Sequence, residues 1–535
     1  MEKQLIKVHP SDNVAVALKN LSKGAQINFE NQTIAVASDV KAKHKIALNS
    51  FETGDKIIMY GVLVGSASKP IGKGEVITTE NVKHQSEKVF GKTEDFKWIP
   101  PEVAYWKDKT FMGYQRADGQ VGTRNVWLFF PLVFCENRNI EVLKEVFEKE
   151  LLQQNVSKQQ LLLRSLLNKS DQNNSPIPES VPVFDNIEVQ FITHQGGCGG
   201  IRQDSESLAR LLAGYVNNPN VAGATVLSLG CQNLQIRIFK DALTQVAPEN
   251  TKPILIYEQQ QMGTVDNMLN TIITESFEAI KKANDIQRTP APISKLKIGL
   301  ECGGSDGFSG ISANPTLGHV SDIMAVVGGS AILSEFPELC GVEQELVNRC
   351  VEEKDGKRFL ELMKAYEKSV VDAGSGFDMN PSPGNIKDGL ITDAMKSAGA
   401  AKKGGTSPVA QVLDYTEYVT KPGLTLLCTP GNDVESTTAM AGSGANIILF
   451  TTGLGTPTGN PITPVIKVAS NTELADKMPD IIDFETGAII RGEQTIEQTA
   501  DQLMTYILEV ASGKPTKAMD LNQNDFIPWK RGVSL

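Results

Sequence analysis

Apolar and polar side chains alternate along the first part of the chain, up to about residue 87. Residues 45–48 and 56–60 have this pattern, and glycine-containing turns separate such stretches. An alternation with a period of two is typical of β-strands with one buried face, and glycine suits the turns between them. We therefore predict a small, mostly β domain over residues 1–90.

The pattern changes after residue 110. Runs of consecutive apolar residues, for example residues 126–134, now alternate with longer stretches in which apolar positions have a helical spacing. Buried parallel strands that alternate with helices produce such a pattern. We predict an α/β multidomain protein in which two doubly wound, mostly parallel α/β domains, residues 111–290 and 291–535, follow the β domain.

Two further segments have their own character. Residues 91–110 are charged and contain proline and tryptophan, which predicts a linker that docks through aromatic side chains, Trp98, Tyr105 and Trp106. Residues 154–180 are rich in Gln, Asn and Ser, which predicts a surface insertion in the first α/β domain. A chain of 535 residues is long enough for several domains of this kind.

Composition and charge exclude several classes of protein. The net charge is −11 and no block of Lys and Arg is present, so we expect no nucleic-acid partner. No stretch is apolar enough for a membrane helix, and the N-terminus has no apolar signal segment, so we expect a cytoplasmic protein without a membrane partner. The chain has seven cysteines and no C-x-x-C pair, which favours reduced thiols over a disulfide framework.

Five of the cysteines fall at or just after the end of a predicted strand. They are Cys135, Cys198, Cys231, Cys302 and Cys428. The carboxyl ends of parallel strands form the edge at which open α/β sheets bind ligands. Cysteine is also often a buried packing residue, and that role is the more common one for any single member of the set.

His194 and Cys198 lie four residues apart on one glycine-rich loop. This spacing lets a nitrogen and a sulfur meet at a metal ion, or lets the pair share a proton. Asp204 starts the next helix, where it either joins them or caps the helix, and capping is the more common role. An iron–sulfur cluster would need three or four thiolates at one point, so it is kept as an alternative.

The glycine-rich stretch 299–318 follows a predicted buried strand and offers Cys302, Ser305 and Asp306. Its glycines allow close approach to a ligand, although a tight strand-to-helix turn with a buried cysteine explains them equally well. The chain has neither a Walker motif nor a dinucleotide fingerprint, which disfavours nucleotide cofactors. The loop 453–459 is predicted to hold a small anion.

Several long motifs resemble those of the altronate/galactarate dehydratase family. The motifs are G-L-E-C-G-G-S-D-G-F-S-G-I-S-A-N-P-T-L-G at 299–318, N-P-S-P-G-N at 380–385, P-G-N-D at 430–433, T-G-L-G-T-P at 452–457 and R-A-D-G-Q-V-G-T-R-N at 116–125. The likeness runs nearly end to end, and P-G-N-D is closer to the altronate branch. It implies an N-terminal SAF-type β-clip domain and removal of water from D-altronate to give 2-keto-3-deoxy-D-gluconate.

The resemblance also implies a divalent metal, iron(II) first and manganese(II) as the alternative. By the same resemblance, His194, Cys198 and Cys231 hold this metal, and His9 or His44 moves protons. His9 and His44 are expected to meet His194 and Cys198 across the domain interface. The predicted substrate contacts are Arg124, Asn125, Ser305, Asp306, Asn314 and Asn385, while Cys302 is assigned to packing.

Other functions stay open at this point. A related enzyme would act on galactarate, another aldarate or a sulfonate, and a non-catalytic sugar-acid sensor would keep the fold without the metal. The leading prediction is a small-molecule sugar acid as the partner, with a homodimer as a possible assembly. The segments Q-G-G after His194 and K-S-A-G-A at 396–400 depart from the family pattern and bear on the substrate rather than on the reaction class.

Overall fold

The computed structural model describes residues 3–30, 32–151 and 183–535, with positions 159, 162, 163 and 166 between the last two ranges. Most of the predicted insertion at 154–180 lies outside the described residues. Within the described part of the chain, no helix is long and apolar enough to span a lipid bilayer.

The N-terminal domain consists of short antiparallel strands, as their alternating pattern predicted. The strands are β1 Leu5–Ile6, β2 Val14–Ala17, β3 Gln26–Phe29, β4 Gln32–Ala35, β5 Lys45–Ala47, β6 Lys56–Met59, β7 Val62–Ala67 and β8 Val82–Lys83. They form three small sheets with the orders β1-β2-β5, β3-β4 and β6-β7-β8. Apolar residues on one face, such as Ile34 and Ile46, are fully buried because this face forms the core.

The predicted linker packs along the C-terminal domain. Trp106 is buried and its Nε1 donates to Asp501 Oδ1 (2.8 Å), while Trp98 Nε1 donates to Thr406 Oγ1 (3.1 Å). Tyr105 is exposed and lies over the Lys109 ammonium instead, so two of the three predicted aromatic side chains make the docking contacts.

A three-stranded antiparallel sheet follows the linker. Its strands are β9 Thr110–Gln115, β10 Val121–Gly122 and β15 Thr289–Pro292, in the order β10-β9-β15. The strand β15 is the proline-rich segment between the two α/β domains. Because β15 lies at the sheet edge, its two prolines cost no ladder hydrogen bond on the outer side.

The second domain contains a four-stranded parallel sheet covered by helices. Its strands are β11 Val126–Pro131, β12 Glu188–Phe191, β13 Val221–Ser228 and β14 Ile254–Glu258, in the order β12-β11-β13-β14. The described helices are α1 Asn137–Glu150, α2 Arg202–Asn217, α3 Ile236–Val246, α4 Gln259–Met262 and α5 Val265–Ala283. Helices cover both faces of the sheet, so β11 is buried along its whole length.

The C-terminal domain has a seven-stranded parallel sheet. Its strands are β16 Lys297–Cys302, β17 Ser330–Leu333, β18 Val409–Leu413, β19 Gly423–Leu427, β20 Ile447–Thr452, β21 Val465–Ala469 and β22 Phe484–Glu485. Its helices are α6 Ala313–Val327, α7 Glu343–Arg349, α8 Glu353–Asp372, α9 Pro383–Lys387, α10 Asp393–Ala400, α11 Asp433–Gly442, α12 Thr472–Lys477, α13 Gly487–Arg491, α14 Ile496–Ala511 and α15 Lys517–Asp520. These observations confirm the predicted α/β multidomain class with an N-terminal β module.

The strand order of this sheet is β18-β19-β17-β16-β20-β21-β22. The chain builds the sheet from β16 first towards β17 and then, after a crossover, from β20 in the opposite direction. The loops after β16 and β20 therefore diverge to opposite sides, and open α/β sheets form their ligand crevice at such a switch point.

Candidate active site

Two glycine-rich loops meet at the switch point and are tied together by backbone hydrogen bonds, and the region around them is called the crevice below. Gly303 N donates to Thr451 O (3.1 Å), and the amides of Gly453 and Leu454 both donate to Gly304 O (3.0 Å each). A Cβ atom at position 303 would lie 2.1 Å from Asp433 Oδ2, so the glycine allows this carboxylate to lie on the loop. Asp433 begins α11, and the side chain of Asn432 caps that helix.

Asp306 organises the loop that follows β16. Its Oδ1 accepts hydrogen bonds from the amide and hydroxyl of Ser309 (2.9 Å each) and from Ser470 Oγ (2.9 Å), while its Oδ2 pairs with Lys43 Nζ at 2.9 Å. Asn471 Nδ2 adds a further bond at 3.2 Å. Every acceptor direction of Asp306 is used within the protein, so the contacts that the structure shows for it hold the loop and the N-terminal domain in place.

The N-terminal domain covers this crevice with residues 43–45. Lys45 Nζ is fully buried and donates to Gly389 O (2.6 Å), and His44 Nε2 donates to Lys387 O (3.0 Å). His44 Nδ1 makes no hydrogen bond to any described residue, and burial lowers the pKa of the ring, so Nδ1 carries a free lone pair at neutral pH. Lys43 has a φ of 76°, a left-handed conformation that is strained for a side-chain-bearing residue and often found at functional sites.

Three further predicted substrate contacts lie in this region. Asn385 caps its own helix α9 together with Ser382 and donates from Nδ2 to Ser305 O (2.8 Å). Asn314 Nδ2 donates to Gly399 O (3.0 Å), and its Oδ1 accepts from Thr451 Oγ1 (2.7 Å). Both amides are buried and bonded within the protein, so they position the loops, whereas the Ser305 hydroxyl has no bond to a described residue and is the one available to a ligand.

A buried cluster of charged side chains lies beneath the crevice, where β16 and β17 end. Lys403 Nζ lies 2.8 Å from both Cys302 Sγ and Glu335 Oε2, and Cys302 Sγ donates to Glu338 Oε2 (3.1 Å). Lys396 Nζ pairs with Glu338 Oε1 at 2.6 Å. Glu335 has a φ of 64°, so a second strained residue faces the same region.

Burial and mutual repulsion distribute the protons in this cluster. Burial and the neighbouring Glu335 raise the pKa of Glu301, and burial and Glu338 raise the pKa of Glu335. Burial also opposes ionisation of Glu338, but Lys396 and Lys403 outweigh it and lower the pKa of this group. At the rim, burial followed by the charges of Glu335 and Glu338 raises the pKa of Asp433 to about 6, a value suited to proton donation near neutral pH.

The predicted metal ligands lie elsewhere, at the strand ends of the second domain. His194 Nε2 donates to Pro131 O (2.7 Å) and its Nδ1 accepts from Gly196 N (3.1 Å), so neither ring nitrogen is free. Cys198 and Cys231 are exposed, and Gln260 Nε2 donates to Cys231 Sγ (3.3 Å). These ligand atoms do not meet: within the described residues, the two triads of candidate ligands closer than 4.8 Å are Cys302/Glu335/Glu338 and His84/Cys340/Asp393.

Arg124 and Asn125 lie at the opposite edge of the second-domain sheet from its strand ends. The Arg124 guanidinium forms a bidentate ion pair with Glu188 and donates to Pro461 O (3.0 Å). Asn125 Nδ2 donates to Asn186 O and Ala283 O, and its Oδ1 accepts from Arg116. The polar groups of both side chains are bonded to other parts of the protein and so hold neighbouring segments together. The structure therefore gives no support to their predicted contact with the substrate.

The two predicted catalytic histidines have different surroundings. His44 reaches the C-terminal domain through Lys387, and among the described residues no hydrogen bond joins His44 or His9 to the loop of His194. His9 is exposed, its Nδ1 is bonded to Ser11 Oγ (2.7 Å), and its ring packs on Gly61 of the same domain. Of the two, His44 alone is at the crevice.

Sequence reasoning missed the lysines and glutamates of the crevice, above all Lys43, Glu335, Lys396 and Lys403. One signal was present: Glu301 and Glu335 each interrupt or directly follow an apolar strand, where an acidic residue is unusual unless it is paired. Its partners could not be found in the same way, because Lys403 is more than sixty residues from either glutamate along the chain.

Three family models match successive parts of this chain, and several known proteins are similar to it. The model "Altronate/galactarate dehydratase SAF domain" matches residues 3–85, "D-galactarate dehydratase/Altronate hydrolase, second domain" matches 113–284, and "D-galactarate/Altronate dehydratase, C-terminal" matches 293–534. Altronate dehydratase of Bacillus subtilis is 36% identical over the full length of both chains, and that of Escherichia coli is 34% identical over 99% of this chain and all of its own. Galactarate dehydratase (L-threo-forming) of Escherichia coli is 31% identical over 95% of this chain and 93% of its own.

An α/β enzyme with a charged switch-point crevice, covered by a small β domain, is the class that the fold and the site define. More narrowly, the chain belongs to the altronate/galactarate dehydratase family, with an N-terminal SAF domain. It is therefore a hydro-lyase that removes water from a sugar acid, and the alternative of a non-catalytic sensor is set aside.

Proposed function

We propose that this enzyme removes water from D-altronate and releases 2-keto-3-deoxy-D-gluconate. The substrate assignment rests on the end-to-end similarity to two altronate dehydratases, at 36% and 34% identity, compared with 31% for the galactarate enzyme. Galactarate is the second candidate because that relative also covers nearly the whole chain.

The reaction needs a base for the weakly acidic proton at C2 and an acid for the departing hydroxyl at C3. We assign the base to His44, whose Nδ1 has a free lone pair at the crevice. We assign the acid to Asp433, which borders the same loop and whose pKa is raised to about 6 by burial and then by Glu335 and Glu338. Near pH 7 the lowered pKa leaves the His44 ring neutral, as a base requires, and a pKa of about 6 keeps roughly a tenth of the Asp433 side chains protonated and able to donate.

The substrate carboxylate needs positive charge. Lys43 and Lys396 are both partly exposed, and their ion pairs with Asp306 and Glu338 hold them in this region. Burial alone would lower the pKa of both lysines, but Asp306 and Glu338 respectively outweigh it and raise the pKa, so both ammonium groups stay charged. The Ser305 hydroxyl lies between the loops and is proposed to bind a substrate hydroxyl.

A divalent metal, iron(II) or alternatively manganese(II), is part of the proposal. Cys302, Glu335 and Glu338 would hold it, because their ligand atoms lie within 4.8 Å of one another and a thiolate with carboxylates suits iron(II). Burial raises the pKa of Glu301 and of Glu335, and the proton that these two neighbouring side chains share is the charge that a bound cation would replace.

When bound, such a metal supplies charge stabilisation for the enediolate. The ammonium of Lys403 is 2.8 Å from two of the three ligand atoms, so metal binding requires it to withdraw from Cys302 and Glu335. The set predicted from the sequence, His194, Cys198 and Cys231, is the competing assignment.

The substrate is tested by an anaerobic assay of the full-length protein with added iron(II). Altronate, galactarate and mannonate are compared by kcat/KM, with 2-keto-3-deoxy acid as the readout. We expect altronate to have the highest kcat/KM. A higher value for galactarate, or no product from altronate, would overturn the assignment.

The metal ligands are tested by anaerobic iron binding rather than by turnover. We expect Cys302→Ser to lose bound iron(II), and the double variant Cys198→Ser/Cys231→Ser to retain it. The opposite result assigns the metal to the second domain. The predicted homodimer belongs to the same proposal and is measured by sedimentation of the wild-type chain.

A further inference from the structure

A second group of metal-ligating side chains lies outside the crevice. Ligand atoms of His84, Cys340 and Asp393 are all within 4.8 Å of one another. His84 directly follows β8 of the N-terminal domain, Cys340 follows a short 3-10 helix, Phe336–Leu339, and Asp393 begins α10. The three residues thus come from three segments and two domains.

Asp393 is the unusual member of this group. Its side chain is 1% exposed, and neither Oδ1 nor Oδ2 has a hydrogen-bond partner in the described part of the chain. A buried carboxylate without partners is costly, and natural structures nearly always satisfy such a group. A bound cation would account for both orphaned oxygens at once.

The other two ligands are available. Cys340 is a free thiol in contact with the Asp393 carboxyl, a weak interaction that metal binding would replace. The His84 ring has one hydrogen bond to the described residues, a long one in which Ala394 N donates to Nδ1 (3.4 Å). Neither residue therefore has to give up a strong interaction to bind an ion.

The surroundings favour a cation and hold the three segments close together. Among the described residues, the charged groups with the largest influence on the ligands are four acids and one cation, namely Asp378, Glu338, Glu343, Glu367 and Lys396. Gly341 has a φ of 94°, and a Cβ there would lie 3.2 Å from Ala394 Cβ and 3.4 Å from Ser86 Cβ. The glycine thus permits the close packing of the segments that carry the three ligands.

We propose that His84, Cys340 and Asp393 bind a zinc-type divalent cation that joins the SAF domain to the C-terminal domain. One imidazole, one thiolate and one carboxylate are typical zinc ligands, and a water completes the four-coordinate set. The proposal does not depend on the identity of the substrate or of the catalytic metal.

The ion would also fix the position of segments that contribute residues to the crevice. Cys340 and Asp393 lie next to the segments that carry Glu338 and Lys396, and these two residues form the 2.6 Å ion pair at the crevice. His84 lies in the domain that supplies Lys43 and His44. The site is therefore placed to fix the position of the covering domain.

Cobalt(II) is a spectroscopic probe for this site, because a cobalt–thiolate bond absorbs in the near ultraviolet and four-coordinate cobalt absorbs strongly in the visible. The full-length chain is stripped with a chelator under anaerobic conditions and titrated with cobalt(II) without substrate. To isolate the site, the titration is repeated in the background Cys302→Ser/Cys198→Ser/Cys231→Ser. We expect one tightly bound cobalt with both absorptions in this background.

Adding Cys340→Ser should abolish the thiolate band, and adding Cys135→Ser, an exposed cysteine, should leave it unchanged. His84→Gln should weaken cobalt binding at least tenfold and retain the thiolate band. Because His84 is only partly buried, this variant keeps the test valid if Cys340→Ser does not fold. Absence of the band in the background, or its persistence in Cys340→Ser, would overturn the proposal.

The two proposals can fail separately. If the protein does not bind cobalt but still turns over altronate, the proposed zinc-type site is wrong and the proposed function stands. If the cobalt spectrum is as expected but altronate is not turned over, the proposed function is wrong and the zinc-type site stands.

Discussion

The two parallel sheets of this chain end in very different surroundings. The strand ends of the second domain carry glycine-rich loops with exposed thiols, Cys135, Cys198 and Cys231, and a neutral buried histidine. Burial lowers the pKa of His194 to about 4, so this ring carries no charge near pH 7. The strand ends of the C-terminal domain carry paired lysines and acids that are buried beneath another domain.

This difference shows that position at a strand end is not sufficient to define a catalytic site. Both edges satisfy the general rule for ligand binding in α/β sheets. The edge of the C-terminal domain differs because the SAF domain covers it and excludes water, which strengthens every charge interaction there. The motif-like spacing of His194 and Cys198 attracts attention in the sequence, yet the dense charge lies at the other edge.

The largest expected effect comes from breaking the buried cluster. We expect Lys403→Met to lower the free energy of unfolding by about 3–5 kcal/mol, because it leaves buried carboxylates without their counter-charge. Urea unfolding at pH 7 measures this loss. Lys421→Met is the matched control: it breaks an exposed ion pair with Glu352 and should cost far less than Lys403→Met. Equal losses in the two variants would remove the distinction between buried and exposed charge.

The next effect concerns the two histidines of the SAF domain. We expect His44→Gln to lower kcat by about 100- to 10,000-fold, as removal of a general base does, with a much smaller change in KM. Steady-state kinetics under anaerobic conditions measures both constants. His9→Gln, at an exposed position away from the crevice, should leave kcat near the wild-type value. Unchanged turnover in His44→Gln would move the base to another residue.

A smaller effect tests whether the covering domain buries a charge. Burial lowers the pKa of Lys45 from 10.5 to about 7, so between these values the unfolded chain binds more protons than the folded one and stability rises with pH. From pH 7 to pH 9 the wild type should gain about 2 kcal/mol relative to Lys45→Met. Urea unfolding at several pH values measures the slope. Lys56→Met, at an exposed lysine of the same domain, should follow the wild type, and parallel curves for all three proteins would contradict the burial of a charge at position 45.

The smallest effect is expected at the edge of the second domain. Cys231 is exposed and accepts one hydrogen bond, from Gln260. We expect Cys231→Ser to change the free energy of unfolding by about 0.5 kcal/mol or less and to leave kcat unchanged. The same kinetic assay checks this prediction. A large loss of activity in this variant would favour the metal set predicted from the sequence.

Much of the fold could be predicted from the residues, but less of the site. The order of β and α/β segments was readable from periodicity, and the family motifs pointed to the loop that carries Ser305 and Asp306 and to Asn385. These three residues do meet at the crevice. Asp306 and Asn385 are, however, bonded within the protein, to Lys43 and to the backbone of Ser305. Neither pairing could be predicted from local sequence, because the partners are far apart along the chain.

The sequence by itself determined the strands, the helices and the existence of glycine loops at the strand ends, because these depend on residues that are close along the chain. The tertiary structure alone decided which edge became charged and covered. Lys43 and Asp306 are separated by more than 260 residues, and Cys302 and Lys403 by 101. Only the docking of the SAF domain on the C-terminal sheet brings the first pair together, and only the winding of that sheet brings the second.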